Sequence, residues 1–539
     1  MDNSLPRLRQ TTQAADLRIP AAGSHAAGSV ARRLQVARSW PLLLILLVQA
    51  ALSLLLVSAD TAFEDEATYL WAGHLEIAHW LHGTPIPVFQ SYFSGAPVIY
   101  PPLGAVADSL GGLLAARILS LAFMLLATVL LWSCTRRLFG HQAAFFAAAL
   151  FAVLGPTLHL GAFATYDGLS VFLIGLAAWF VVRAADTRNA TGWLVAAGAS
   201  LAIANAAAYS SALFDVVVIV LALLIPMREL GVKLAASRCL TVLIVAAVLL
   251  GAGLLIGGST YAHGLDVTTL ERVPGTASAA TVLVDAWSWT GFVVVAAVFG
   301  IAISWLRHEG GTQTWLLVLL TVAAVVGPLE QGRLQTAASL DKHVVAGAWF
   351  AALAAGYAVD KLIRAAPAGS TRTVTCAACV IALALPVSLG VSQSRDFSTS
   401  WPKSTTLVAI LGPLVARTSG PLLVEDPTIA EYYLHDESHW KWWSSTRNIV
   451  LPSGASSGGP SKAAGIVGDG NAGTYAAKIA SGYFSLVALN FADTTSLDHQ
   501  IRMDLSRNKR YHLVQVLPYG PIPGTNVFGT YVIWLLAAP

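Results

Sequence analysis

Three consecutive acids, Glu64-Asp65-Glu66, stand just beyond the first long apolar run of the chain. A carboxylate in a partly desolvated cleft can take the proton of a hydroxyl as that hydroxyl attacks an electrophile. A helix starting near Asp65 would set Asp65 and Tyr69 on one face and turn Glu66 about 100° away. The acids would then divide roles, one facing a cleft and another holding a backbone N–H or a cation. The same residues also suit a solvated acidic turn that caps a helix, but no basic partner lies nearby. A second acid, Asp167, stands in Ala164-Thr165-Tyr166-Asp167-Gly168 between two apolar runs. It can reach the same cleft or cap the helix that starts at Gly168, and one position can serve both ends.

These acids are positioned by a membrane. Of 539 residues, 56% are hydrophobic and 11% charged, against about 25% charged in soluble domains. Lipid must therefore solvate most of the chain. At about 20 apolar residues per crossing, eleven spans are expected, at 40–59, 111–133, 142–160, 168–183, 192–207, 211–227, 239–257, 290–306, 314–328, 343–360 and 373–391. The first runs into the acidic loop with no small-residue cleavage site, so it reads as a retained helix. Arg32, Arg33 and Arg38 precede it. Arg136 and Arg137; Arg183 and Arg188; Arg228, Lys233 and Arg238; Arg307; and Lys361, Arg364 and Arg372 fall in alternate loops. Residues 60–110 hold no Lys or Arg but six acids: Asp60, Glu64, Asp65, Glu66, Glu76 and Asp108. The positive-inside rule then predicts a multi-pass protein of the cell membrane with a cytoplasmic amino terminus. Loop 60–110 and the carboxyl-terminal domain fall outside.

The organisation follows. Residues 1–38 are polar and aperiodic, as in a disordered cytoplasmic tail. Residues 39–394 form the transmembrane domain, with 60–110 as a structured external loop whose prolines from Pro85 to Pro102 interrupt regular structure. Residues 395–539 carry charges of both signs and alternate short strand-like and helical runs, predicting an external α/β domain. Strands are expected at 421–425, 484–490 and 511–517, and helices at 475–481 and 495–507. Another helix should begin at Pro427 behind an Asp426 cap, and a Gly/Ser-rich insert occupies 453–473. The net charge of +3 is too small to imply a nucleic-acid partner. Cys134, Cys239, Cys376 and Cys379 all fall in or beside apolar segments, which argues against a disulfide framework or zinc site.

The order of motifs is more specific than any one of them. After the acidic loop come Tyr100-Pro101-Pro102-Leu103, a run from Ala116-Arg117-Ile118-Leu119-Ser120 to Thr135-Arg136-Arg137-Leu138-Phe139-Gly140, and then Asp167. This order resembles the GT-C-type membrane glycosyltransferases, the superfamily of protein O-mannosyltransferases and lipid A aminoarabinose transferases. The resemblance is good through Arg183 and fades afterwards. It implies a polytopic α-helical fold and a polyprenyl-phosphate sugar as donor, with membrane lipids and an extracytoplasmic glycan, lipid or protein acceptor as the other partners. Hexosyl or pentosyl transfer by single displacement would invert the anomeric centre. In that family the Asp of an Asp-Glu pair after the first span is the catalytic carboxylate, which maps onto Asp65 with Glu66 beside it. An acid in the Asp167 loop is linked there to acceptor or metal binding, and Glu64 is a further candidate for that role. A divalent cation (Mg or Mn) is left open as cofactor. Tyr100 departs from the pattern, because relatives often carry His there.

A leaving phosphate needs cations or oriented N–H groups, and few basic residues face outside: Arg117, Arg272, Arg333 and Lys342. Arg117, costly at membrane depth unless it snorkels, and Lys342 with His343 are the candidates for the donor phosphate. Tyr69 and Tyr100 are candidates for contact with sugar or lipid. His74, His79 and His82 suit an interfacial helix better than an incomplete metal site. A transporter or lipid flippase is the alternative from another class, but it should place charged or broken helices at the bilayer midplane. A non-catalytic envelope assembly protein is the remaining reading, and it would tolerate loss of Asp65. The topology is directly testable. A reporter active only outside the cytoplasm should be active when fused after Pro539 and silent after Arg188; the reverse pattern would overturn the orientation.

Overall fold

The computed structural model describes residues 40–185, 187, 189–446, 472–492, 494–519 and 529–537. The expected tail at 1–38 and most of the Gly/Ser-rich insert lie outside the described residues. The membrane part runs α1 (Trp40–Leu54), α2 (Glu64–His82), α3 (Tyr100–Phe139), α4 (His141–Ala152), α5 (Gly155–Leu160), α6 (Tyr166–Ala185) and α7 (Thr191–Ala207). It continues through α8 (Asp215–Leu230), α9 (Val232–Leu265), α10 (Ala279–Leu306), α11 (Gly311–Arg333), α12 (Leu340–Ala365), α13 (Ser370–Ala382) and α14 (Ala384–Ser398). Among the described residues eight helical stretches are long and apolar enough to cross a membrane. The shorter apolar helices α1, α4 and α7 occupy the positions of the other three expected spans.

Several expected boundaries moved, as where α10 starts at Ala279 instead of 290, and two further changes turn on Gly or Pro. The helix predicted from 111 begins at Tyr100, because Pro101 and Pro102 occupy its first turn, where no intrahelical N–H is needed. It breaks instead at Gly111-Gly112, with Gly112 at φ 64, a conformation that costs glycine little. The expected span at 142–160 divides into α4 and α5, with Pro156 in the first turn of α5.

Burial sorts the helices. In its most apolar stretch α12 is 89% buried, whereas α9 and the α13–α14 stretch are 11% buried and leave most of their surface to lipid. The Trp349 Nε1–H donates to the Ala127 carbonyl at 2.9 Å, locking α12 to α3. Its first turn thereby lies against the acidic loop. Helix α2 packs on the start of α3 so closely that a Cβ on Gly73 would stand 2.0 Å from the Pro101 carbonyl oxygen.

The carboxyl-terminal part contains α15 (Thr405–Val415), β1 (Leu422–Val424), α16 (Thr428–Tyr433), β2 (Trp443–Ser445), α17 (Ala472–Ser481), β3 (Leu486–Leu489), α18 (Thr495–Arg507), β4 (Tyr511–Tyr519) and β5 (Gly529–Leu536). The sheet order is β2-β1-β3-β5-β4. Strand β1 is parallel to both neighbours, and β5 is antiparallel to both of its own. Alternate residues serve opposite faces. Leu422, Val424, Leu486 and Ala488 pack with Leu407 and Leu411 of α15, while Leu423, Val487 and Leu489 pack with Tyr475, Ile479 and Ile501. The Asp426 cap is offset by one residue: its Oδ1 accepts from the Thr428 N–H at 3.1 Å, ahead of a helix that starts at Thr428 rather than Pro427.

This domain grips the acidic loop. The Ala62 N–H donates to the Tyr433 hydroxyl at 2.9 Å, and Trp401 Nε1–H donates to the Thr61 carbonyl at 3.0 Å. Asp108 accepts from the Tyr432 hydroxyl at 2.7 Å and pairs with His74 Nε2 at 2.7 Å.

Candidate active site

Glu66 and Arg117 organise the site. Glu66 is the third residue of α2, and its Oε2 accepts from the Phe63 N–H at 3.1 Å, closing the helix start. Its Oε1 accepts from the Ala164 N–H at 2.8 Å. Arg117 Nε–H and Nη2–H donate to the two carboxylate oxygens at 2.8 and 2.6 Å. The remaining Arg117 donors go to the carbonyls of Val57 (2.8 Å), Asp60 (2.9 Å) and Thr61 (3.1 Å). All five guanidinium N–H groups are thus used, and the pair is 2% and 0% exposed. Arg117, expected to meet a phosphate, has no donor left for one. Glu66 faces this cation and two backbone N–H groups rather than open space.

Asp65, one residue earlier, points the other way with Tyr69, into a cleft of about 550 Å³. The Ala164 anchor holds the turn that leads into α6, and the Thr165 hydroxyl donates to Asp167 Oδ2 at 2.9 Å. Asp167 faces the same cleft. From the first turn of α12, Lys342 Nζ reaches Asp65 Oδ2 at 2.5 Å and Asp167 Oδ2 at 3.9 Å. His343 lines the cleft and bonds Gln331. Burial first, and then the Asp65 carboxylate, push the Tyr69 phenol well above its usual range, so it stays protonated.

Five of the expected site residues, Asp65, Tyr69, Asp167, Lys342 and His343, therefore share one wall system. Four others, Tyr100, Glu64, Glu66 and Arg117, do not line it. Tyr100 is fully buried behind Tyr69, edge-on at 6.4 Å between ring centroids, which removes it from contact with sugar or lipid. Glu64 is half-buried in the first turn of α2, outside the cleft wall. Arg117 lies in the clamp. His74 is committed to Asp108, and among the described residues no three His, Cys, Asp or Glu side chains group to hold a metal ion.

The cleft also contains residues that the site reading of the sequence left out. Tyr166 lies against Tyr69 with ring centroids 4.7 Å apart, and Tyr209 lines the far side. Arg272, after the helical segment Asp266–Leu270, lines the cleft half-buried with no hydrogen bond or ion pair among the described residues. Its signal was its rarity as an outward-side cation. Arg333, the other such cation, is engaged by Glu330 at 2.6 and 2.8 Å.

The family model described as dolichyl-phosphate-mannose-protein mannosyltransferase matches residues 109–252. That stretch includes Arg117 and Asp167 and begins after Asp65. Two solved structures align over nearly the whole chain. ArnT from Cupriavidus metallidurans, bound to undecaprenyl phosphate, is 14% identical over 93% of this chain and 99% of its own, with a TM-score of 0.60. The archaeal oligosaccharyltransferase AglB from Archaeoglobus fulgidus, in complex with an inhibitory peptide and a dolichol-phosphate, is 13% identical over 91% of this chain and 74% of its own, with a TM-score of 0.52. No curated protein matches the chain in sequence. The chain has the GT-C-type fold of membrane glycosyltransferases, with a small sheet domain at its carboxyl-terminal end.

The clamp makes a quantitative prediction. Arg117→Ala leaves Glu66 buried and unpaired, which should cost about 3–5 kcal/mol and lower the thermal midpoint of the purified protein. In a double-mutant cycle with Glu66→Ala the losses should be far from additive. Additive losses would mean that the two side chains act independently.

Proposed function

We propose that this protein is an integral-membrane glycosyltransferase. It moves a hexosyl or pentosyl group from a polyprenyl-phosphate carrier to a hydroxyl of an extracytoplasmic acceptor. The observation that carries the reading is the meeting of Asp65, Asp167 and the unengaged Arg272 in one cleft. The family match and the shared fold support a lipid-linked donor. The arginine asymmetry of the loops supports a cleft on the outer side of the cell membrane, where nucleotide sugars are not available.

The proposed reaction uses that placement. The acceptor hydroxyl lies against Asp65, which takes its proton as the oxygen bonds to the anomeric carbon. The bond from that carbon to the phosphate oxygen breaks on the opposite face, inverting the centre. Polyprenyl phosphate leaves with one more negative charge than it carried as a diester. Arg272 meets that charge, and a guanidinium suits it because two N–H groups can bind two phosphate oxygens. Asp167, held by Thr165, orients the acceptor, and Tyr69 donates to a sugar oxygen. Glu66 and Arg117 hold the elements that carry Asp65 and Asp167.

A transporter would need its charged groups along a path through the bilayer; these converge on one cleft. The two proposed roles separate kinetically. Asp65→Asn keeps shape but removes proton affinity, so kcat should fall by about 10²-fold or more with little change in donor affinity. Arg272→Ala should raise KM for the donor by about 10-fold or more, the worth of a charged hydrogen bond. Near-normal turnover in Asp65→Asn with loss in Asp167→Asn would mean that the two acids exchange roles. An unchanged donor KM in Arg272→Ala would place the phosphate elsewhere.

A further inference from the structure

Two carboxylates that converge on one cleft repel each other unless a cation or a shared proton lies between them. Here Lys342 takes that place. Its ammonium is 2.5 Å from Asp65 Oδ2 and 3.9 Å from Asp167 Oδ2, on a side chain that is 6% exposed. The Phe163 ring covers it, with Nζ 5.6 Å from the ring centroid. The neighbouring acid does not compete: Asp341 Oδ2 turns to His159 Nε2 at 3.4 Å, and His159 Nδ1 meets the Ser398 hydroxyl at 2.9 Å. The turn that launches Lys342 is set by Ser339, which adopts φ 64 and accepts the Lys342 N–H at 3.1 Å.

This arrangement does not fit a divalent cation. Such an ion between Asp65 and Asp167 would sit beside a fixed ammonium. We propose that Lys342 is a built-in cation that pairs Asp65 with Asp167 and balances their charge, so that transfer needs no metal ion. The reaction part of this inference rests on the glycosyl-transfer reading; the charge-pairing part does not. Lys342 acts here as a positioning residue. It holds the Asp65 carboxylate aimed while one Asp65 oxygen remains for the acceptor proton.

The test uses the full-length protein in lipid nanodiscs, with Mn²⁺ as the probe and electron paramagnetic resonance as the readout. Wild type should bind no Mn²⁺ that depends on Asp65 and Asp167. Lys342→Ala should gain one Mn²⁺ site, and Lys342→Ala/Asp167→Asn should lose it again. In the transfer assay wild type should be insensitive to chelator. Lys342→Gln should lose on the order of 10²-fold in kcat, and Lys342→Arg, which keeps the charge, should retain more. A wild-type Mn²⁺ site that vanishes in Asp167→Asn, chelator-sensitive wild-type turnover, or normal metal-free turnover in Lys342→Gln would each overturn the proposal. Should Lys342→Ala fail to fold, wild-type metal binding and the Gln and Arg pair still decide it. A Mn²⁺ site gained in Lys342→Ala alongside a wild type that transfers no polyprenyl-phosphate sugar would uphold the cation assignment and overturn the glycosyl-transfer reading.

Discussion

The buried ion pair of Glu66 and Arg117 is the constraint on which the cleft depends. A carboxylate and a guanidinium removed from water are tolerable only when every donor and acceptor is used. Here the five guanidinium N–H groups and both carboxylate oxygens are all engaged. Those bonds reach into four stretches of chain: the end of the first apolar segment, the start of α2, the middle of α3 and the turn before α6. Moving any one of them would leave a buried donor or acceptor of the pair without its partner. The acids of the cleft inherit that rigidity, because Asp65 adjoins Glu66 and Asp167 lies three residues beyond the anchored Ala164. The carboxyl-terminal domain reinforces the same loop through Tyr433, Trp401 and Tyr432.

The cations Arg117, Arg272, Arg333 and Lys342 divide by what already holds them. Arg117 is spent on the clamp, Arg333 on Glu330, and Lys342 on the two cleft acids. Arg272 alone among these four retains its hydrogen-bonding capacity. In the proposed reaction this division is functional. Charges that must stay in place are paired within the protein, and the charge that must meet a departing phosphate waits in the cleft. A single unengaged cation at the cleft wall also suits a product that must leave, since several would retain a dianion too strongly.

Much of this was legible in the sequence, and the failures have definite causes. Helical periodicity alone separates Asp65 and Tyr69 from Glu66, because 100° per residue is a local property; the structure places them so. The motif order indicates the GT-C-type fold. Arg117 was misjudged because its partner lies 51 residues away, and nothing in a one-dimensional pattern shows that its donors are already filled. Tyr100 fails for the same reason: its burial behind Tyr69 depends on how α2 seats on α3 at Gly73. Arg272 was visible as a rare outward cation, but only the cleft reveals that it lacks a partner where Arg333 has one. The strand β5 was passed over because Tyr531–Leu536 is an apolar run that periodicity alone does not assign. Its antiparallel place beside β3 depends on pairing across the domain.

The central claim concerns where the sugar comes from. Purified protein in nanodiscs, given a radiolabelled polyprenyl-phosphate sugar and a cell-envelope acceptor fraction, should release one polyprenyl phosphate for each sugar transferred. Transfer from a soluble nucleotide sugar with no lipid carrier present would contradict the account.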